Sequence, residues 1–123
     1  MSIGLGRVLV YTRRIPEMMA FYTEHFGFEA VVAPGDRIVE LRPQGAGASI
    51  LLHPAAKGQR EGQAAVKLVF DVENVAEFVR RTTRAGVAFG PIHEADGYRF
   101  ANAKDPSGNS VSVSSRAFVR SRA

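Results

Sequence analysis

Arg7-Val-Leu-Val-Tyr11 and, 60 residues further on, Lys67-Leu-Val-Phe-Asp71 set the fold of this chain. Each is a short β-rich run that opens on a basic residue and is followed by a helix signal. A second echo, Gly47-Ala-Ser-Ile-Leu-Leu52 against Gly108-Asn-Ser-Val-Ser-Val113, is offset by 61 residues. Correspondences at about half of a 123-residue length mark an internal duplication. Around these echoes each half has the same order: strand, helix, then three strands.

The first helix is expected from Pro16 to Phe26. Proline suits a first helical position, and Met18, Met19, Phe21, Tyr22 and Phe26 fall on one face before Gly27 stops the helix. The second helix is signalled by Asn74-Val-Ala-Glu77, a pattern that resembles a capping box. Its inner stripe is Val75, Phe78, Val79 and Thr82. Arg80, Arg81 and Arg84 form its solvated face, and Gly86 ends it. Further strands are expected at Phe28–Val32, Arg37–Arg42, Ser49–His53, Val87–Ile92, Tyr98–Lys104 and Asn109–Ser115, separated by Gly/Pro/Asp turns. Module one runs from about 5 to 53, a polar linker from 54 to 63, module two from about 64 to 116, and a basic tail from 117 to 123. Neither half buries enough surface to fold alone, so one domain of two βαβββ modules is expected.

Composition excludes several classes. Hydrophobic content of 46% and charged content of 23% are ordinary globular values, against disorder or a coiled coil. The absence of cysteine rules out disulfides, thiolate metal sites and a cysteine nucleophile. No apolar run approaches the roughly 18 residues a membrane span needs, and strand-like sequence begins at once, so a cytoplasmic protein is expected. The net charge is +4, but Arg116, Arg120 and Arg122 follow the last acidic residue, Asp105. The body is therefore nearly neutral, which argues against a nucleic-acid partner.

Phe21-Tyr22-x-x-x-Phe26-Gly27-Phe28 and Asp105-Pro-Ser-Gly108-Asn109 carry a family resemblance. Together with the duplication they identify the chain as similar to the vicinal oxygen chelate superfamily, which includes glyoxalase I, bleomycin-resistance proteins and extradiol dioxygenases. The resemblance implies an α+β fold in which two βαβββ modules form a curved mixed sheet around a cleft, in a homodimer. In metal-dependent members, His, Gln or Glu from the first and last strands of each module hold a divalent cation. Aligned on the motifs, those positions here are Arg7, Leu51, Lys67 and Ser112. Protonated arginine and lysine have no lone pair to donate. No metal and no other cofactor is therefore expected.

Arg7 and Lys67 have two readings: each pairs with a carboxylate such as Glu40 or Asp71, or the two attract an anionic ligand. Tyr11 shares the parity of Arg7, and His53 that of Leu51. Tyr98 and Phe100 share one strand face. The ligand-binding candidates are thus Arg7, Tyr11, Glu40, His53, Lys67, Tyr98, Phe100 and Ser112. The row Ser110, Ser112, Ser114 is expected to form a polar or solvated concave surface, and no orienting His or Asp makes a nucleophile of it. His25 and His93 are expected at the surface. Three functions stay open. The first is a metal-independent binder of a small aromatic or anionic molecule. The second is a superfamily enzyme (lyase, isomerase or dioxygenase), metal-dependent or using His53 or Glu40 as a metal-free base. Nucleic-acid binding through the arginines is the weakest.

Overall fold

The computed structural model describes residues 2–119, so Arg120 and Arg122 of the expected tail lie outside the described residues. The chain divides between Glu61 and Gly62 into two compact units. In the first, the elements are β1 (Arg7–Thr12), α1 (Ile15–Phe26), β2 (Glu29–Val32), β3 (Val39–Arg42) and β4 (Ser49–Pro54). In the second they are β5 (Lys67–Asp71), α2 (Val75–Arg84), β6 (His93–Glu94), β7 (Arg99–Lys104) and β8 (Ser110–Ser114), followed by a short 3₁₀ turn at Arg116–Phe118. Each unit holds a four-stranded mixed sheet, ordered β1-β4-β3-β2 and β5-β8-β7-β6. The strand before each helix pairs in parallel with the last strand of its unit, and every other pairing is antiparallel. A helical crossover permits that parallel pairing, where a tight turn could not. The duplication read from the sequence is thus a duplication of topology.

Each helix covers one face of its own sheet. Pro16 lies in the first turn of α1, and Gly27 ends it in the left-handed region at φ 73°, where its N–H reaches the Tyr22 carbonyl. Met18, Phe21 and Tyr22 are buried by α1, which packs on β3 and β4 and meets Leu41, Ile50 and Leu52 of the core. The side chain of Asn74 accepts the N–H of Glu77 at 3.0 Å and caps α2. Glu77 pairs with Arg80 instead of folding back to complete the box. Arg81 lies over the Phe78 ring, so the polar face of α2 is occupied by its own contacts. Val75 and Thr82 point inward, and Ala101, Ala103, Val111 and Val113 complete the core of the second unit.

Two strand expectations need correction. The stretch expected as a strand at Val87–Ile92 is not one; only His93 and Glu94 pair, with Phe100 and Arg99. Pro91 cannot donate to a ladder, and a single N–H, that of Gly90 to the Asn102 carbonyl at 2.8 Å, ties this stretch to β7. The third strand of the first unit starts at Val39 and not at Arg37. The Asp36 carboxylate accepts the Ile38 N–H at 2.9 Å and holds the chain in a turn up to that point.

Candidate functional site

The face of each sheet away from its helix gathers the candidate residues, because strand side chains alternate between faces. In the first unit, Val8 and Val10 stand opposite the core residues Ile50 and Leu52, while Arg7, Leu9 and Tyr11 point to the other side. Arg7 faces Ser49, Leu9 faces Leu51, and Tyr11 faces His53 across the β1–β4 ladder. Glu40 lies beside Leu51 on the next strand. Arg7, Tyr11, Glu40, Leu51 and His53 therefore share one open face. Leu9 and Tyr11 remain 41% and 45% exposed, although apolar side chains normally leave the surface.

Arg7 reaches over β4 to Glu40, Nε to Oε1 at 3.5 Å, and Arg42 donates from its own Nε to Glu40 Oε2. One of the two readings of Arg7 is thus realised, but at the surface: the Arg7 side chain is 64% exposed. The hydrogen bond from Arg42, aided by the charges of Arg42 and Arg7, holds the Glu40 carboxyl below its ordinary value of 4.5. A lowered folded-state value stabilises the fold above pH 4.5, and that contribution fades as the pH falls through the lowered value. An NMR titration of the Glu40 carboxyl is expected to give a midpoint below 4.5 that rises when Arg42 is replaced by methionine.

The ring of His53 stands edge-on to Tyr11, with centroids 5.2 Å apart. Its Nδ1 lies 2.8 Å from the Pro54 carbonyl, which can only accept. In the neutral ring the proton therefore sits on Nδ1, and Nε2 carries the lone pair.

In the second unit the open face is read in three rows. Lys67, Ser110 and Lys104 stand side by side, then Val69, Ser112 and Asn102, then Asp71, Ser114 and Phe100. His93 extends the last row and is exposed, as expected, while its ring packs on Phe100 at 5.1 Å. Tyr98 lies 6.3 Å from Phe100 at the β6–β7 turn. There Arg116 stacks on the Tyr98 ring and donates from Nη1 to its hydroxyl at 3.2 Å. An open recess of about 340 Å³ at this hairpin tip is lined by Glu94, Ala95, Gly97, Tyr98, Arg99 and Ser115.

Two further expectations change here. Among the described residues, Lys67 pairs with neither Asp71 nor another carboxylate. Its ammonium crosses β8 and donates to Asn102 Oδ1 at 2.9 Å. The serine row is not solvated at its centre: Ser112 and Ser114 are each 3% exposed. They are short side chains on an inner strand flanked by longer ones, and Ser112 donates its hydroxyl proton to the Ala101 carbonyl at 3.0 Å. Asn102, Lys104 and Ser110 were absent from the candidates because only strand register places them beside Lys67.

Neither half of the metal set fits a divalent cation. Arg7 and Leu51 offer no lone pair, and Lys67 and Ser112 together offer one hydroxyl, which donates to the Ala101 carbonyl. Among the described residues, no group of three or more His, Asp or Glu is placed to hold a metal ion.

The profile of the Glyoxalase/Bleomycin resistance protein/Dioxygenase superfamily matches residues 4–113. The chain belongs to this superfamily. It is 26% identical over 110 residues to the uncharacterised protein YetH of Bacillus subtilis (strain 168), covering 85% of this chain and 92% of that one. It shares the fold of TnmS3, an antibiotic-binding protein from Streptomyces sp. CB03234, at a TM-score of 0.77 and 24% identity, over 92% of this chain and 96% of that one. The lactoylglutathione lyase of Agrobacterium tumefaciens is similar at a TM-score of 0.73 and 19% identity, over 98% of each chain. Binders and enzymes of the superfamily share this topology, so the choice between those functions falls to the side chains on the open faces.

Proposed function

We propose that the protein binds a small planar aromatic or anionic molecule on its open sheet faces, without a divalent metal, as a homodimer. The observation that carries this reading is the pairing of exposed apolar surface with lone-pair-poor positions. Leu9, Tyr11 and Val69 stand exposed on the same faces as Arg7, Leu51, Lys67 and Ser112, the positions at which the family resemblance would put metal ligands. Arg7, Tyr11, Glu40 and His53 provide aromatic and charged contacts in the first unit. Lys67, Tyr98, Phe100 and the floor residue Ser112 provide them in the second. A sequestering role has a parallel in TnmS3, an antibiotic-binding protein that shares the fold. Nucleic acid and membranes are not the expected partners: Arg80 and Arg81 are engaged with Glu77 and Phe78, and no helix among the described residues is long and apolar enough to cross a membrane.

Thermal unfolding in the presence of a chelator, against a panel of polycyclic aromatic compounds, tests the reading. Ligands that bind the native state raise the melting temperature by mass action, and a rise of several degrees without added metal is expected. A response that appears only when divalent metal is supplied overturns it. Light scattering on the same sample is expected to give about twice the chain mass of 13.3 kDa.

A metal-free enzyme is the second reading, and His53 favours it. With Nδ1–H fixed on the Pro54 carbonyl, its Nε2 lone pair is available to take a proton from a substrate on the Tyr11 face. Turnover of a bound ligand that His53→Gln abolishes, with binding kept, separates this reading from sequestration.

A further inference from the structure

The two units carry the same array on their open faces, with one difference. In the second unit, Lys67 and Lys104 flank Ser110 across three neighbouring strands. In the first, Arg7 pairs with Ser49, and the antiparallel register that joins Leu41 to Ile50 brings Arg42 to the other side of Ser49. Basic residue, serine, basic residue: the rows are equivalent. The third-strand residue next to each row is Glu40 in the first unit and Asn102 in the second.

That exchange of a carboxylate for an amide changes the electrostatics. Glu40 accepts both guanidinium groups of its row, Arg7 and Arg42, so the first array carries its own carboxylate and a net charge of +1 against +2 in the second. Asn102 offers one neutral oxygen, which Lys67 takes. Lys104 donates to Ser110 Oγ at 2.8 Å. Among the described residues neither ammonium has a carboxylate partner. What remains is a cluster of donors. Each ammonium keeps two N–H groups, the Asn102 amide nitrogen keeps its own because its oxygen faces Lys67, and Ser110 can still give its O–H. Neighbouring donors with two positive charges and no anionic acceptor among them suit an oxyanion.

We propose that Lys67, Lys104, Ser110 and Asn102 form a binding site for the carboxylate or phosphate group of a small ligand. The oxyanion takes the place that the Glu40 carboxylate holds in the first unit. Two rows away along the strands, roughly 13 Å at ordinary strand rise, Phe100 and His93 form an aromatic pair. The site therefore suits a molecule with an acidic group at one end and a planar ring at the other. This ligand class rests on the binding reading above; the anion site itself does not.

The test is an NMR titration of the full chain with inorganic phosphate and, separately, acetate at low salt, following the Asn102 side-chain amide and the Lys67 and Lys104 resonances. Saturable shifts are expected with at least one of the two, and the tighter of them names the acid group. Asn102→Glu supplies the missing carboxylate and is expected to weaken binding at least about tenfold, as is the double variant Lys67→Met/Lys104→Met. Glu40→Gln frees the first array and is expected to add a second equivalent of bound anion. Absence of saturable shifts with both anions overturns the proposal, and so does binding that Asn102→Glu and the double lysine variant leave unchanged. A parallel titration with 2-naphthoate and its methyl ester keeps the two readings apart. Tighter binding of the acid supports the anion site; equal binding of acid and ester keeps the binding reading and overturns the anion site. Phosphate or acetate bound at the lysines while neither naphthyl compound binds supports the site and counts against the aromatic reading.

Discussion

Replacing Asp105 with alanine is expected to destabilise the protein by about 3 kcal/mol, measured by urea unfolding. The carboxylate is 4% exposed and organises the turn between β7 and β8. Its Oδ1 accepts the backbone N–H groups of Ser107 at 3.0 Å and Asn109 at 2.9 Å, and its Oδ2 accepts the Asn109 side-chain amide at 2.9 Å. Alanine would leave those donors without their acceptor in a part-buried turn, and unmet groups cost more than the net worth of the bonds they made. Asp105→Asn keeps one acceptor oxygen but turns an N–H₂ toward donors, so an intermediate loss is expected. Because this turn fixes the register of Ser110 against Lys104, the alanine variant should also broaden the resonances of that row.

The second large effect concerns binding. Tyr11→Ala combined with His53→Ala is expected to weaken an aromatic ligand by about 100-fold, measured by calorimetry, with a small change in stability. Tyr11 is 45% exposed and lies on the open face, so its removal leaves no enclosed cavity. The edge-on contact with His53 orients both rings, so the two losses should fall short of additive in a double-mutant cycle. A loss confined to stability would place the pair in the framework and not in the site.

Much of this arrangement was legible in the sequence because it rests on local signals. The 60-residue echo, the Pro16 start and Gly27 stop of α1, the Asn74 cap and the Asp105 turn each follow from backbone or side-chain geometry within a few residues. Alternation along β1 and β4 also brought Arg7, Tyr11, Leu51 and His53 to one face correctly. Non-local facts were not legible. Lys67 could be placed on a face, but its partner Asn102 lies two strands away and depends on the register of β5, β8 and β7. The burial of Ser112 follows from what stands on its neighbouring strands. The stretch 87–92 carries strand-like residues, yet Pro91 cannot take part in the ladder that β7 offers. The exchange of Glu40 for Asn102 becomes visible only when the two units are laid out row by row.

On the proposed reading, the open sheet faces bind a small molecule without a divalent metal. Protein-observed NMR in the presence of a chelator, with a polycyclic aromatic acid as titrant, tests it most directly. Shifts are expected to concentrate at Leu9, Tyr11, Leu51 and His53 in the first unit and at Val69, Phe100 and Asn102 in the second. Shifts confined to the outer faces of α1 and α2, or binding that appears only after a divalent metal is added, would contradict it.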